Sequence, residues 1–84
     1  MMSIDTRFVV EDLVSVGRQL LRDGDIQKAD SVLQAIQAVL GPFVGGANYS
    51  EAEYTFRCAT VWALDDEITA ASRAASAKWG ATSA

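Results

Sequence analysis

The chain predicts an all-α fold, a three-helix domain built from an antiparallel helical hairpin and one long C-terminal helix. Three observations predict it. Apolar residues recur at helical spacing along most of the sequence, Asp23-Gly24-Asp25 punctuates the first two periodic segments, and Ser50-Glu51-Ala52-Glu53 opens a third.

The first helix is expected over 6–23. Val9, Leu13, Val16 and Leu20 form one apolar row with Val10, Gly17 and Leu21 beside it, and Glu11, Ser15, Arg18 and Arg22 fall opposite. Asp5 or Thr6 is read as the N-cap, because a short side-chain oxygen accepts from a free amide of the first turn. Gly24 ends the helix, since glycine enters the left-handed C-cap conformation at little cost. Asp25 caps a second helix over 26–40, whose buried row is Ile26, Ala29, Leu33, Ile36 and Leu40, widened by Val32 and Val39. Gly41-Pro42 stops it, as proline cannot continue the hydrogen-bond ladder. So short a turn makes the two helices antiparallel neighbours.

After a glycine-containing loop from Gly41 to Tyr49, a capping box at Ser50 and Glu53 starts the third helix, with Tyr49 and Tyr54 placed to staple that turn. The pattern predicts a helix over 51–79 stopped by Gly80. Its first half, Phe56, Cys58, Ala59, Val61, Trp62, Ala63 and Leu64, is apolar nearly all round, which places Cys58 in the core. Its second half narrows to Ile68, Ala71, Ala75 and Trp79. Asp65-Asp66-Glu67 lies between, where a kink or break is the alternative to one continuous helix. Residues 1–4 and 81–84 are expected to be loose ends of this single domain.

Residues 12–42 resemble one tetratricopeptide-type helical hairpin. The resemblance is carried by Gly17 inside the first helix, Gly24-Asp25 at the turn, Ala29 one turn into the second helix and Pro42 after it. It covers a single copy of a repeat that normally occurs in arrays of three or more. Ile36 stands where the family usually has a small residue, and the following loop is longer than a direct next repeat requires. The family implies peptide or protein binding in a concave groove. One hairpin has no such groove, so the resemblance implies the packing of Gly17 and Ala29 at a close helix crossing and no ligand site.

Composition bounds the function. In 84 residues, half of them apolar, there is room for one core, but alanine is the commonest residue and buries little area. A thin core is helped by a second chain, so a dimer or a bound protein is expected. The net charge of −4 repels nucleic acid phosphates and anionic membranes and suits a basic protein surface. Cys58, the one cysteine, can form no internal disulfide. No apolar run approaches the ~20 residues that span a bilayer. Met1-Met2-Ser3-Ile4-Asp5 lacks the order of a signal peptide, and a cytoplasmic protein is the expectation.

Catalytic chemistry finds little to work with. The absence of histidine removes the commonest general base and metal ligand. Consecutive helix positions diverge by about 100°, so Asp65, Asp66 and Glu67 cannot converge on one cation and read as a solvated face. The loop from Gly41 to Gly46 lacks the Lys-Ser/Thr ending and the preceding strand of a phosphate loop. Arg7, Arg18 and Arg22 have no interleaved aromatics and read as a solvated face. Arg57 pairs better with Glu53 than with Cys58. Trp62 and Trp79 are the least ordinary residues, since tryptophan anchors interfaces and so small an interior has little room for two.

The sequence therefore predicts a non-catalytic protein–protein interaction module, probing other chains through Phe43, Trp62, Asp65, Asp66 and Trp79 and self-associating through the Ala-rich third helix or the exposed flank of the hairpin. A small acidic inhibitor covering a basic site on a larger protein is the alternative. No cofactor, metal, nucleic acid, membrane or small-molecule substrate is expected.

Overall fold

The computed structural model describes residues 3–43 and 50–82, with side chains described through residue 77. The described residues are all-α, with no strand among them: α1 (Ile4–Arg22), α2 (Ile26–Leu40), α3 (Glu51–Ala59) and α4 (Val61–Thr82). The expected third helix is present but interrupted, so the architecture is a hairpin plus a broken C-terminal helix.

Ser3, rather than Asp5 or Thr6, caps α1, its Oγ accepting from the Thr6 amide at 3.1 Å. The other end closes as the turn chemistry requires. Gly24 adopts φ +83°, the Gly24 amide donates to Leu21 O at 3.1 Å, and the Asp25 amide donates to Leu20 O at 2.9 Å. This nested pair satisfies carbonyls the helix end would leave bare. Asp25 then caps α2 by accepting from the Lys28 amide at 3.2 Å. Gly41, with φ +71°, terminates α2 before Pro42.

The interruption falls at Thr60, not at Asp65, and α4 runs straight through Asp65-Asp66-Glu67 and past Gly80 to Thr82. Thr60 has φ −119° and ψ −89°, outside the helical region. Its hydroxyl donates to Phe56 O at 2.6 Å while its amide turns to Arg57 O at 3.3 Å. A threonine hydroxyl thus takes the carbonyl that its own amide would occupy in an unbroken helix, the competition that makes such residues uneasy in helix interiors. The break thus falls upstream of the three acids, where a side chain competes with the ladder for its acceptor.

The core gathers Val10 and Val14 of α1, Ala29, Leu33 and Ile36 of α2, Phe56 of α3, and Val61, Leu64 and Ile68 of α4. Gly17 is where α4 comes closest: a β-carbon there would stand 2.9 Å from Leu64 Cδ2 and 3.5 Å from Val32 Cγ1. The small residue therefore makes room for α4 as well as for α2. Arg7 lies over Phe56, Gly17 meets Leu64, and Arg18 pairs with Glu67 at 3.0 Å. These pairs rise together along both chains, so α3–α4 runs parallel to α1.

Three burial expectations are corrected. Val9 and Val16 are exposed, and the buried stripe of α1 is Val10, Val14 and Gly17, with Leu13, Leu20 and Leu21 half-buried. Val39 of α2 is exposed as well. Cys58 is exposed, because α3 is a short end helix packed on one side only and not a rod enclosed on several.

The molecule is elongated. Its radius of gyration is 15.0 Å, against about 12 Å for a compact domain of this length. The cause is α4: at 22 residues it is about 33 Å long. From Thr69 to Ala77 it buries nothing fully, with Ala71 and Ala75 only half-buried.

Candidate functional site

Two surfaces compete for a functional role: a polar-aromatic corner where Arg57 of α3 reaches the end of α2, and an apolar row on the opposite face of the hairpin.

The corner is organised by Arg57, which is 5 % exposed. Its Nη1 donates to Gly41 O at 3.1 Å and its Nη2 to Leu40 O at 3.2 Å. Its Nε and Nη2 both donate to Glu53 Oε1, at 3.2 and 3.0 Å. A guanidinium from one helix thus satisfies terminal carbonyls of another, where positive charge also suits the negative end of the helix dipole. Glu53 was expected to return a bond to the Ser50 amide. The Ser50 half of that box forms, with Oγ accepting from the Glu53 amide at 3.4 Å, while the Glu53 carboxylate goes to Arg57. Sequence reasoning found the Glu53–Arg57 pair but missed its wider role. Only a helix brought across the end of α2 reveals the two carbonyl acceptors.

Above Arg57, Phe43, Tyr54 and Trp62 form a three-ring cluster with centroids 5.4 to 5.9 Å apart. Phe43 meets Trp62 edge-on at 5.6 Å, and the Arg57 guanidinium lies 5.5 Å from the Phe43 centroid. Beside the cluster is an open groove of about 500 Å³ walled by Leu40, Pro42, Phe43, Val61 and Trp62, with Arg57 at its base. The guanidinium already makes four donor contacts to the protein, and among the described residues no buried side-chain nitrogen or oxygen lacks a partner.

The structure brings Phe43 and Trp62 together, as neighbours inside the domain. Trp62 is half-buried. Asp65 and Asp66 follow it on α4 as exposed carboxylates. The Trp79 side chain lies outside the described residues, as do Val44, Gly45, Gly46 and Tyr49. No group of three or more acidic, cysteine or histidine side chains capable of holding a metal ion is found among the described residues. Among them, no helix is long and apolar enough to cross a membrane.

The second surface is built by the two flanks of the hairpin turned away from α3 and α4. On α1 the side facing α3–α4 carries Arg7, Val14 and Arg18. Val9 and Val16 stand nearly half a turn round the helix from them. They are 46 % and 49 % exposed and share their flank with half-buried Leu13 and Leu20. The spacing 9, 13, 16, 20 is the 4–3–4 step of a helix-packing seam. On α2 the neighbouring flank carries half-buried Val32, exposed Ala35 and Val39, which is 45 % exposed. The would-be contact between Gly17 and Val32 shows that these flanks adjoin. Val9, Leu13, Val16 and Leu20 are legible in the sequence as one apolar row, and Val32 and Val39 as a widening of the buried α2 row, whereas Ala35 carries no such signal. The stripe was broader than one core needed, and periodicity alone does not say which edge of a broad stripe faces inward.

No family model matches the chain, and neither a curated protein nor a solved structure does.

Proposed function

We propose that this domain is a small acidic helical protein–protein interaction module, non-catalytic in itself, whose contact surface is the apolar row along the α1–α2 seam. The observation that carries the reading is the row itself, with Val9, Val16 and Val39 exposed on one face and Leu13, Leu20 and Val32 half-buried behind them. Covering such a row is favourable at roughly 25 cal/mol per Å² of apolar surface removed from water. A helix laid on it would complete a bundle in which the hairpin is covered on both faces. The α3 corner competes poorly for this role, because its arginine and its rings are engaged with one another.

The test is site-specific photo-crosslinking in the cells from which the sequence comes. A photoreactive residue in place of Val16 is expected to give a discrete heavier adduct, and the same residue in place of exposed Ser72 on α4 is not. No adduct at Val16, or indistinguishable adducts from both positions, refutes the assignment of the surface.

Self-association is the second reading, and the 4–3–4 spacing favours it, since a seam that seats a foreign helix also seats α1 of another copy. An adduct of twice the 9.0 kDa chain mass identifies that case.

A further inference from the structure

We infer that the α1–α2 row receives an amphipathic helix with a basic flank, an inference that rests on the reading of the row as an interaction surface. Its basis is the charge of the edge. On α1, the positions one step outward from Val9, Leu13, Val16 and Leu20 are Asp5, Asp12, Gln19 and Asp23. Asp5 and Asp12 lie at i−4 and i+3 from Val9, Asp12 at i−4 from Val16, and Asp23 at i+3 from Leu20, the spacings at which helix side chains are neighbours. All three aspartates are exposed. None of the three carries an ion pair among those found in the described residues, where the acidic members are Glu67, Asp25 and Glu53. Gln19 continues the edge and donates to Asp23 Oδ1 at 3.2 Å.

The opposite edge, on α2, carries exposed Lys28 at i−4 from Val32 and is otherwise small: exposed Ser31, Ala35 and Ala38 stand outside Val32 and Val39. A helix seated in the seam can therefore lie close to α2, while its outer flank on the α1 side faces three carboxylates. Like charge there would be repelled, and lysine or arginine at helical spacing would be complementary. The row from Val9 to Leu20 is about 16 Å long, so about 11 residues, three turns, of partner helix cover it.

A second copy of the chain fits this edge less well. The cation on its matching flank is Lys28, which already lies 3.5 Å from Asp25. An anionic membrane is repelled by the same aspartates that favour a basic helix.

A displayed library of helical peptides tests the inference. Each member carries leucines at the 4–3–4 spacing, and each flanking position encodes Lys, Glu or Gln. Selection on the wild-type domain is expected to raise the Lys-to-Glu ratio on one flank by at least about tenfold over the input. The bias should disappear with Asp5→Asn/Asp12→Asn. Enrichment as a whole should disappear with Val9→Gln/Val16→Gln, which leaves the net charge unchanged. A pool enriched without charge bias overturns the inference, and so does a pool that is not enriched. A Lys bias that survives Val9→Gln/Val16→Gln overturns it too, because charge attraction without a seat then explains the result. A Val16 crosslink together with an unbiased pool sinks this inference alone, whereas no Val16 crosslink sinks the interaction surface as well. A crosslink of doubled chain mass makes the second copy the occupant and overturns the basic helix.

Discussion

Arg57→Ala is expected to destabilise the domain by about 3 kcal/mol, and the magnitude follows from what the guanidinium touches. It is nearly sealed from solvent and bridges three acceptors: the Glu53 carboxylate, Leu40 O and Gly41 O. A hydrogen bond involving a charged group contributes about 1.5–3 kcal/mol. The groove beside Arg57 is open, and the Glu53 side chain is 33 % exposed, so water replaces part of each lost contact and the net cost of each falls below that range. About 1 kcal/mol for each of three acceptors gives the total, and for a domain of this size it lowers Tm by roughly 15 °C. Urea unfolding followed by far-UV circular dichroism, with Trp62 fluorescence as a second probe beside the site, measures it. Arg57→Lys, which keeps the charge but not the fork, should fall between wild type and Arg57→Ala. A loss under about 1 kcal/mol for Arg57→Ala, or equal losses for the alanine and lysine variants, refutes the claim that the forked geometry holds α3 across the end of α2.

Two further predictions check the hairpin and the exposed thiol. Gly24→Val should cost about 1 kcal/mol or more, because φ is +83° with open space around it, so the penalty is conformational and not steric crowding by neighbours. An unchanged melting point would show that Gly24 does not hold that conformation. Cys58, exposed on α3, should react fully with a chromogenic disulfide reagent under native conditions at a rate that denaturant barely changes. A thiol released only on unfolding would return it to the core.

Signals that act within one helical turn could be read directly. The Asp23-Gly24-Asp25 turn, the Asp25 cap, the Gly41-Pro42 stop and the i,i+4 pair of Glu53 with Arg57 depend on neighbours in sequence, and each stands where its residues placed it. What depends on the third dimension was misread. The helix breaks at Thr60, whose hydroxyl takes the Phe56 carbonyl, and no composition rule separates it from an ordinary helical threonine. Cys58 looked buried because its sequence neighbours are apolar, yet burial depends on what packs across from each residue, and α3 has core neighbours on one side only. The α1 stripe was legible as apolar, but choosing its inner edge required knowing that Leu64 sits against Gly17. The candidate surface was thus present in the sequence as residues and hidden as a surface.

Val9→Gln/Val16→Gln separates the two uses that surface could serve, folding and contact with another chain. A β-branched residue is a poorer helix former than glutamine by a few tenths of a kcal/mol, so helix propensity taken alone favours Gln, Lys or Glu at exposed helix positions. Against this gain stands the apolar contact that each valine keeps with its half-buried neighbours. Full burial of a valine stabilises by about 1.5 kcal/mol or somewhat more, and these two are about half exposed. The glutamine stem recovers part of that contact. The opposing effects leave a net change under about 1 kcal/mol for the pair, read as the shift in the urea midpoint at constant m-value. A loss above about 2 kcal/mol would mean that both valines belong to the core and that the open row does not exist. If stability holds while crosslinking and peptide selection fail, the valines are kept for contact with another chain, since the fold on its own would do as well without them.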